Sequence, residues 1–319
     1  MARRTLWRRF RRATRGPRNA FLAWSIWRAA RLLGRLPAPV TLALGRALGR
    51  GAHALLGRPR TLAQAQLAIA FPELDARARR ALVRETFRHA GESFAELVLW
   101  PKLARRPDYV RVEGAELVDA ALAAGRGAVV VTAHTGNWEL MGAAAAQRWP
   151  VTVVARRVND DRFDALVVRF RRSAGEEVLV RDDPRFLSAV RGALAANRLV
   201  AMLIDQDTRG AGVFVPFFGR LAHTPPGAAL VALRARVPVL TAFITRRPGG
   251  HTVRFERVEV AARRDRGEVI ALTARLTAAI EAQIRRAPAD WVWWHERWRR
   301  RPPPPGRPAS DVTSLPAVS

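Results

Sequence analysis

Short apolar runs rich in β-branched residues alternate with segments of helical length through the middle of the chain. The runs are Ala128–Val131, Val151–Val154, Val178–Val180, Leu199–Ile204 and Val239–Ile244. Helix-length segments lie between most of them, at residues 136–148, 160–172 and 185–196. Such alternation is typical of an α/β fold. The pattern therefore predicts a single α/β domain with a largely parallel central sheet flanked by helices.

Other patterns hold on either side of this region. Between residues 74 and 97 the apolar positions recur at steps of four and three, which predicts a helix with one buried stripe. Residues 252–260 alternate as a more exposed strand does, and residues 268–286 have the length of a final helix. Thr224 followed by Pro225 predicts a helix start, with the threonine as cap and the proline in the first turn.

The first 60 residues differ from the rest in charge, since they hold fifteen arginines and no acidic residue. On a helical projection of residues 21–36, Arg28, Arg31 and Arg35 share one stripe, apolar residues lie opposite, and two tryptophans flank the arginines. This arrangement is typical of a helix that lies in a bilayer interface. The uncharged runs are too short to span a bilayer. The alternatives are an amphipathic helix packed on its own domain and an arm that binds nucleic acid.

Composition narrows the possible functions. The chain has 319 residues, of which 49% are hydrophobic, and this is enough for a real core. It has no cysteine, which excludes disulfides, cysteine-ligated metals and a thiol nucleophile. The net charge of +28 favours anionic partners, which include a lipid surface, an acidic carrier protein and nucleic acid.

Polar residues with catalytic potential follow the predicted strands. After the first run come His134 and, five residues on, Glu139, with Gly136 between them allowing a tight turn. If His134 lies in the turn and Glu139 in the first turns of the helix, the carboxylate can fix the tautomer of an imidazole general base. The alternative is that His134 caps the helix while Glu139 pairs with a surface arginine.

Two further sets of charged residues follow neighbouring strands. Asp205 and Asp207 come after the Leu199–Ile204 run, where an acid can orient His134 or an arginine across the cleft, or can simply cap the turn. Arginines follow the Val151–Val154 run and recur on the next helix. Their position near the same edge of the sheet is the reason to consider them as phosphate ligands. The C-terminal tryptophans, at positions 291, 293, 294 and 298, are either an interfacial belt or core aromatics.

Together these segments resemble the bacterial lipid A biosynthesis acyltransferases, a family within the lysophospholipid acyltransferase superfamily. Six motifs carry the resemblance in order: Leu67–Glu73, His134–Glu139, Val154–Arg156 with Asn159, Asp205–Asp207, Val213–Gly219 with Thr224, and Pro288–Pro302. The sequence departs from the family at Gln66, where many members have Asn. Members commonly carry a more continuous hydrophobic N-terminal anchor, whereas arginines interrupt the apolar runs of the first 60 residues here.

The resemblance implies transfer of a fatty acyl chain from an acyl thioester to a hydroxyl of a membrane glycolipid. The usual acceptor is a lipid A precursor, and actinobacterial relatives acylate phosphatidylinositol mannosides. By the same resemblance, His134 and Glu139 form the catalytic dyad. The residues predicted to bind substrate are Arg156, Arg171 with Arg172 as its register alternative, Asp205 and Asp207.

The resemblance also sets expectations for partners and location. No cofactor or metal is expected, because acyl carrier protein or coenzyme A brings the acyl group as a co-substrate. The expected partners are acyl carrier protein, anionic membrane lipids and the glycolipid acceptor, without nucleic acid, and the chain is expected to be a monomer. We expect it on the cytoplasmic face of the bacterial inner membrane, either peripheral or held by one N-terminal anchor. The expected organisation is a basic membrane-associating segment (1–60), an acyltransferase domain (61–302) and a disordered proline-rich tail (303–319).

Overall fold

The computed structural model describes residues 24–25, 28–156, 161–208 and 210–302. Residues 24–25 and 28–33 are helical, and the Arg28 guanidinium carbon lies 5.7 Å from the ring centroid of Trp24. The remaining part of the helix predicted over residues 21–36, and the predicted disordered tail, lie outside the described residues. Within the described part of the chain, no helix has both the length and the apolar character needed to cross a membrane.

Three helices follow: α1 (Ala38–Leu55), α2 (Gly57–Ala70) and α3 (Ala76–Leu103). The helix predicted over residues 74–97 is α3, and Asp75 caps it by accepting a hydrogen bond from the backbone N–H of Ala78. The α1 and α3 helices pack closely because glycines line their contact. A Cβ atom at Gly91 would collide with the backbone oxygen of Gly45.

The central sheet has seven strands in the order β1-β9-β8-β2-β5-β3-β4. Its pairings are parallel except for β8 with β9, so the prediction of a largely parallel sheet flanked by helices is confirmed. The strands are β1 (Val110–Glu113), β2 (Ala128–Thr132), β3 (Val151–Ala155), β4 (Glu177–Val180), β5 (Leu199–Leu203), β8 (Val239–Arg247) and β9 (Gly250–Val258). A separate antiparallel hairpin consists of β6 (Val213–Phe217) and β7 (Arg220–Thr224).

Helices cover both faces of the sheet, and a core lies on each side. They are α4 (Ala115–Ala123), α5 (Trp138–Ala145), α6 (Asp161–Ser173), α7 (Phe186–Ala195), α8 (Gly227–Ala235) and α9 (Arg266–Arg286), followed by a 3₁₀ turn at Pro288–Asp290. A helix does follow Thr224 and Pro225, since α8 begins at Gly227 with Pro226 at the N-cap, but the prediction that Thr224 is the cap is wrong. Thr224 is the last residue of β7, where it pairs with Val213, and its hydroxyl donates to the carbonyl of Ala222.

The C-terminal tryptophans belong to the core. Trp291 and Trp293 are buried, and their ring centroids lie 4.6 Å apart in an edge-to-face arrangement. Trp294 and Trp298 pack against the same cluster. Of the two possibilities that the sequence left open for this segment, the structure therefore supports core aromatics.

Candidate active site

His134 and Asp205 meet at the carboxyl edge of the central sheet. His134 follows β2 and Asp205 follows β5, and these neighbouring parallel strands align Thr132 with Leu203. His134 and Asp205 each lie two residues beyond this aligned pair, so they are side by side at the ends of their strands. The Asp205 Oδ1 atom lies 2.8 Å from His134 Nδ1, and Asp205 Oδ2 accepts the backbone N–H of His134 at 3.0 Å.

The Asp205 carboxylate is buried and fully engaged. Its Oδ2 atom also accepts the indole N–H of Trp291 at 2.8 Å. Burial by itself would raise the pKa of this carboxyl, but the interactions with His134 and Trp291 outweigh burial and lower the pKa to about 2. Asp205 is therefore an ionised acceptor near neutral pH. Its hydrogen bond to Nδ1 requires a proton on that nitrogen, which leaves Nε2 of His134 with its lone pair.

Glu139 does not hold the imidazole as predicted. It lies in the first turn of α5, and its carboxylate accepts two hydrogen bonds from Arg171 in the last turn of α6, at 2.8 Å from Nε and 2.6 Å from Nη2. The prediction that Glu139 fixes the tautomer of His134 is therefore wrong. The alternative, that an acid after β5 orients His134, is confirmed. Whether Glu139 takes part in catalysis stays a prediction.

Trp138 lies between the His134 ring and the Glu139 carboxylate. Its ring centroid is 5.0 Å from that of His134, in an edge-to-face arrangement. Its indole N–H donates to Glu139 Oε1 at 3.2 Å. The imidazole and the Glu139–Arg171 ion pair therefore form one continuous arrangement, linked by an aromatic side chain for which the sequence suggested no role.

The other predicted binding residues have different surroundings. Arg171 is the residue that reaches the site, whereas Arg172, its register alternative, is exposed. Arg156 is exposed at the end of β3, with its Nε atom 3.7 Å from the Asp182 carboxylate. The structure brings Arg171 to the Glu139 carboxylate and leaves the other two arginines on the surface.

Asp207 does not face the cleft. Its side chain is completely buried between Nδ1 of His223, at 3.0 Å, and the guanidinium of Arg299, whose two nitrogens lie 2.8 and 2.9 Å away. Its backbone N–H donates to Nε2 of His295 at 3.0 Å, and burial lowers the pKa of His295 to about 4. The prediction that Asp207 binds substrate is therefore wrong. The residue instead fastens the C-terminal segment to the hairpin.

The turn that carries His134 is held by the C-terminal segment. Gly136 has φ 62° and donates its N–H to the carbonyl of Asp290, and Val292 donates to the carbonyl of His134. A side chain at Gly136 would collide with the backbone oxygen of Ile244. The tight turn expected at Gly136 is confirmed, and glycine is required there both for the left-handed backbone and for the close contact.

A buried polar network supports the same turn from α3. Asn137 caps α5 by accepting the N–H of Leu140 and donates to Glu96 Oε2 at 2.8 Å. Burial tends to raise the pKa of Glu96, but hydrogen bonds and charge from His251 and Arg246 lower it to about 2. Sequence reasoning missed Glu96, since its position in a long helix carries no mark of its 155-residue link to His251.

A second buried glutamate lies near the ion pair of the site. Glu176 is 4% exposed, and its Oε1 atom has no hydrogen-bond partner within the described residues. Burial, together with the charge of Glu139, raises the pKa of Glu176 to about 8, against an opposing effect of Arg171. A neutral carboxyl therefore lies close to the Glu139–Arg171 pair at pH 7.

Apolar hollows reach this edge of the sheet from both faces. One, of about 200 Å³, is lined by residues 136–139 together with residues of α3. It shares Ala90, Phe94 and Trp294 with a hollow of about 320 Å³ that extends to α1. We call these two hollows the apolar groove. On the other face, α7, α8 and the end of β5 enclose a third hollow of about 380 Å³.

Comparison with known proteins gives the family context of this site. Residues 8–300 match the family model described as bacterial lipid A biosynthesis acyltransferase. The chain is 33% identical over 203 residues to the phosphatidylinositol mannoside acyltransferase of Mycobacterium tuberculosis, over 62% of this chain and 62% of that protein. The chain thus spans about three fifths of the length of the mycobacterial relatives it matches.

Two relatives from Escherichia coli align over more of their length. The lipid A biosynthesis palmitoleoyltransferase is 27% identical over 275 residues, which cover 84% of this chain and 88% of that protein. The lipid A biosynthesis lauroyltransferase is 27% identical over 279 residues, which cover 85% and 89%. Since the family model matches residues 8–300, a range that includes both His134 and Asp205, the chain belongs to the bacterial lipid A biosynthesis acyltransferase family.

Proposed function

We propose that this protein transfers a fatty acyl chain from an acyl thioester to a hydroxyl of a membrane glycolipid, with His134 as general base. The observation that carries the proposal is the ionised, buried Asp205 carboxylate bonded to Nδ1 of His134 beside an apolar groove. A base with one fixed tautomer suits deprotonation of an alcohol, and an apolar groove suits a fatty chain.

The reaction needs no covalent acyl-enzyme, because a thioester is already activated. Nε2 of His134 takes the hydroxyl proton as the acceptor oxygen attacks the thioester carbonyl carbon. The resulting tetrahedral oxyanion is stabilised by first-turn amides of α5. When the carbon–sulfur bond breaks, the imidazolium returns its proton to the departing thiolate. Asp205 stabilises the imidazolium in between and keeps the ring oriented.

Glu139 and Arg171 act in this proposal as a substrate-orienting pair. The two side chains are only about one seventh exposed, at 15% and 14%, so that their ion pair is well shielded from water. An arginine held in this way presents its remaining N–H groups in a fixed direction, which suits a phosphate or the thioester oxygen. Arg156 and Arg172, on the surface near the same edge, would attract anionic groups of donor or acceptor.

The hydrocarbon parts of the substrates have two separate places. The apolar groove begins at the His134–Glu139 turn and reaches Leu48 on α1, so we assign it to the transferred acyl chain. The third hollow reaches the same edge from the other face, and we assign it to acyl chains already present on the acceptor. Both spaces lie within the range of volumes usual for ligand pockets once the two parts of the groove are joined.

An exposed apolar stripe on α1 suggests how the protein meets its acceptor. Val40, Leu44 and Leu48 follow one another at four-residue steps and are 45%, 41% and 58% exposed. Since the apolar groove opens toward this helix, we propose that α1 lies in the bilayer interface and that acyl chains enter the groove from the membrane. The site of action would be the cytoplasmic face of the bacterial inner membrane.

The names of the relatives provide two candidate acceptors. We propose a lipid A precursor, because the two E. coli relatives with lipid A names align over more of the chain. A phosphatidylinositol mannoside is the second candidate, because the mycobacterial relatives are more identical over a shorter span. Acyl carrier protein is the proposed donor, since the strongly cationic chain complements an acidic protein.

The test is a reconstituted transfer assay with purified protein. Lauroyl-acyl carrier protein or lauroyl-coenzyme A is supplied as donor, and a lipid A precursor or a phosphatidylinositol mannoside as acceptor, with products read by mass spectrometry. We expect an acceptor heavier by one acyl group, and loss of about 10²–10⁴-fold in rate in His134→Ala. The matched control, His53→Ala on α1, should keep the rate.

Two results would overturn this proposal. One is a His134→Ala variant that turns over like the unchanged protein, which would remove the imidazole from the chemistry. The other is a chain inactive on both acceptors that binds duplex DNA tightly in a salt titration. That result would favour the nucleic-acid-binding alternative.

A further inference from the structure

A large cavity lies at the edge of the sheet opposite to His134. Its walls include the start of β8 and the end of β9, and it has a volume of about 910 Å³. Its wall residue Arg126 lies just before β2, whereas His134 lies just after it. The five residues of β2 separate the two edges by roughly 15–20 Å at ~3.3 Å per residue. The cavity is therefore distinct from the proposed active site.

Five arginines line this cavity, and we call it the basic cavity. They are Arg126, Arg236, Arg257, Arg264 and Arg275. Against them stands one lining carboxylate, that of Glu259. Arg275 forms an ion pair with Glu268. Within the described residues, the other four arginines of the cavity form no ion pair with a carboxylate. The other four arginines come from separate loops and strands and line one cavity, in which Glu259 is the one carboxylate among the described lining residues.

The backbone at Arg236 is a second unusual feature of the basic cavity. Arg236 follows the last residue of α8 in the left-handed conformation, with φ 56° and ψ 43°. Glycine is the usual residue at such a position, because a Cβ atom makes this conformation unfavourable. The chain thus places a cationic side chain in the wall of the basic cavity despite a backbone that favours glycine.

We propose that the basic cavity is a second ligand site, which binds a soluble small molecule carrying a diphosphate group. Guanidinium forks bind phosphoryl oxygens in pairs, and several of them around one space match more than one phosphate. Aliphatic residues, among them Leu233, Val237 and Pro238, also line the basic cavity, so the ligand also has an apolar part. This inference is independent of the acyl transfer proposed above.

The test measures binding, so that its outcome does not depend on acyl transfer. Inorganic pyrophosphate is titrated against the full chain at 150 mM salt, and binding is followed by calorimetry and by thermal unfolding. We expect saturable binding and a rise of several degrees in the unfolding temperature. The variant is Arg236→Gly with Arg257→Ala, in which glycine relieves the left-handed backbone, and we expect its affinity to fall at least tenfold.

A control variant separates a site from general charge attraction. Arg77→Ala with Arg80→Ala removes the same charge from the exposed face of α3 and should bind pyrophosphate like the unchanged chain. Three outcomes would overturn the proposal: no saturable binding, an equal loss in the control, or loss of phosphatidylglycerol-vesicle binding in the cavity variant while pyrophosphate binding stays intact. The last outcome would show that the arginines contact lipid headgroups instead.

Discussion

Replacing Asp205 by asparagine should prevent His134 from acting as general base while leaving the fold in place. The carboxylate accepts three hydrogen bonds, two of them at Oδ2, from the backbone of His134 and the indole of Trp291. An asparagine oxygen placed at Oδ2 keeps both donors satisfied. The reverse orientation leaves two buried donors facing an amide N–H₂, at a cost of about 2–6 kcal/mol. The amide nitrogen therefore faces Nδ1 of His134.

This orientation inverts the imidazole tautomer. Facing an amide N–H, Nδ1 of His134 must accept a hydrogen bond, so the proton moves to Nε2 and the lone pair directed at the substrate is lost. Keeping the active tautomer would cost about 1–3 kcal/mol for the unmade hydrogen bond, which by itself reduces the reactive population roughly 5–150-fold. Loss of the carboxylate charge that stabilises the imidazolium adds to this. We expect the rate of Asp205→Asn to fall about 10²–10⁴-fold.

The assay can follow the thiol that leaves the donor. Because the chain contains no cysteine, a thiol-reactive dye reports only the released carrier thiol. Long-range ¹⁵N NMR of the imidazole gives the tautomer directly. Asp108→Asn is the control, since it removes the same charge from an exposed carboxylate that the proposed mechanism does not use. A rate within twofold of the unchanged protein, with the tautomer preserved, would refute the reasoning.

Three further predictions address the surroundings of the site. Glu176 has a pKa raised to about 8, so its contribution to stability is complete below the unfolded pKa of 4.5 and is lost as the pH rises through 8. In urea unfolding, the free energy of unfolding of Glu176→Gln should therefore rise relative to that of the unchanged chain by about 2–5 kcal/mol as the pH is raised from 6 to 9. An equal difference between the two proteins at both pH values would contradict this. Gly91→Ala forces a methyl group against the backbone of Gly45 and should lower the free energy of unfolding by about 1–3 kcal/mol, which thermal denaturation would measure. Val40→Glu with Leu44→Glu should weaken binding to anionic vesicles at least tenfold in co-sedimentation, while transfer to a detergent-dispersed acceptor persists, because each residue loses about 1.5–3 kcal/mol of apolar burial and neither lines the apolar groove.

The alternation of apolar runs was sufficient to predict the class of the fold. Parallel strands buried on both faces appear as continuous apolar runs, and each of the five runs became a strand of the central sheet. Position after a strand also marked His134 and Asp205 as candidates, since such sheets place ligands at the carboxyl ends of their strands. This information is local, and it survives in a single sequence.

The choice of partners is not local, and only the tertiary structure decided it. Glu139 is five residues from His134 and Asp205 is 71, yet the pairing of β2 with β5 brings the distant acid to Nδ1, while α5 directs the nearby one to Arg171. In the same way, Asp207 belongs to the same motif as Asp205, but its side chain is buried in an ion pair with Arg299 of the C-terminal segment. The sequence thus indicates, by residue type and spacing, which groups can react. Strand order and helix packing, which only the tertiary structure shows, determine which of those groups come into contact.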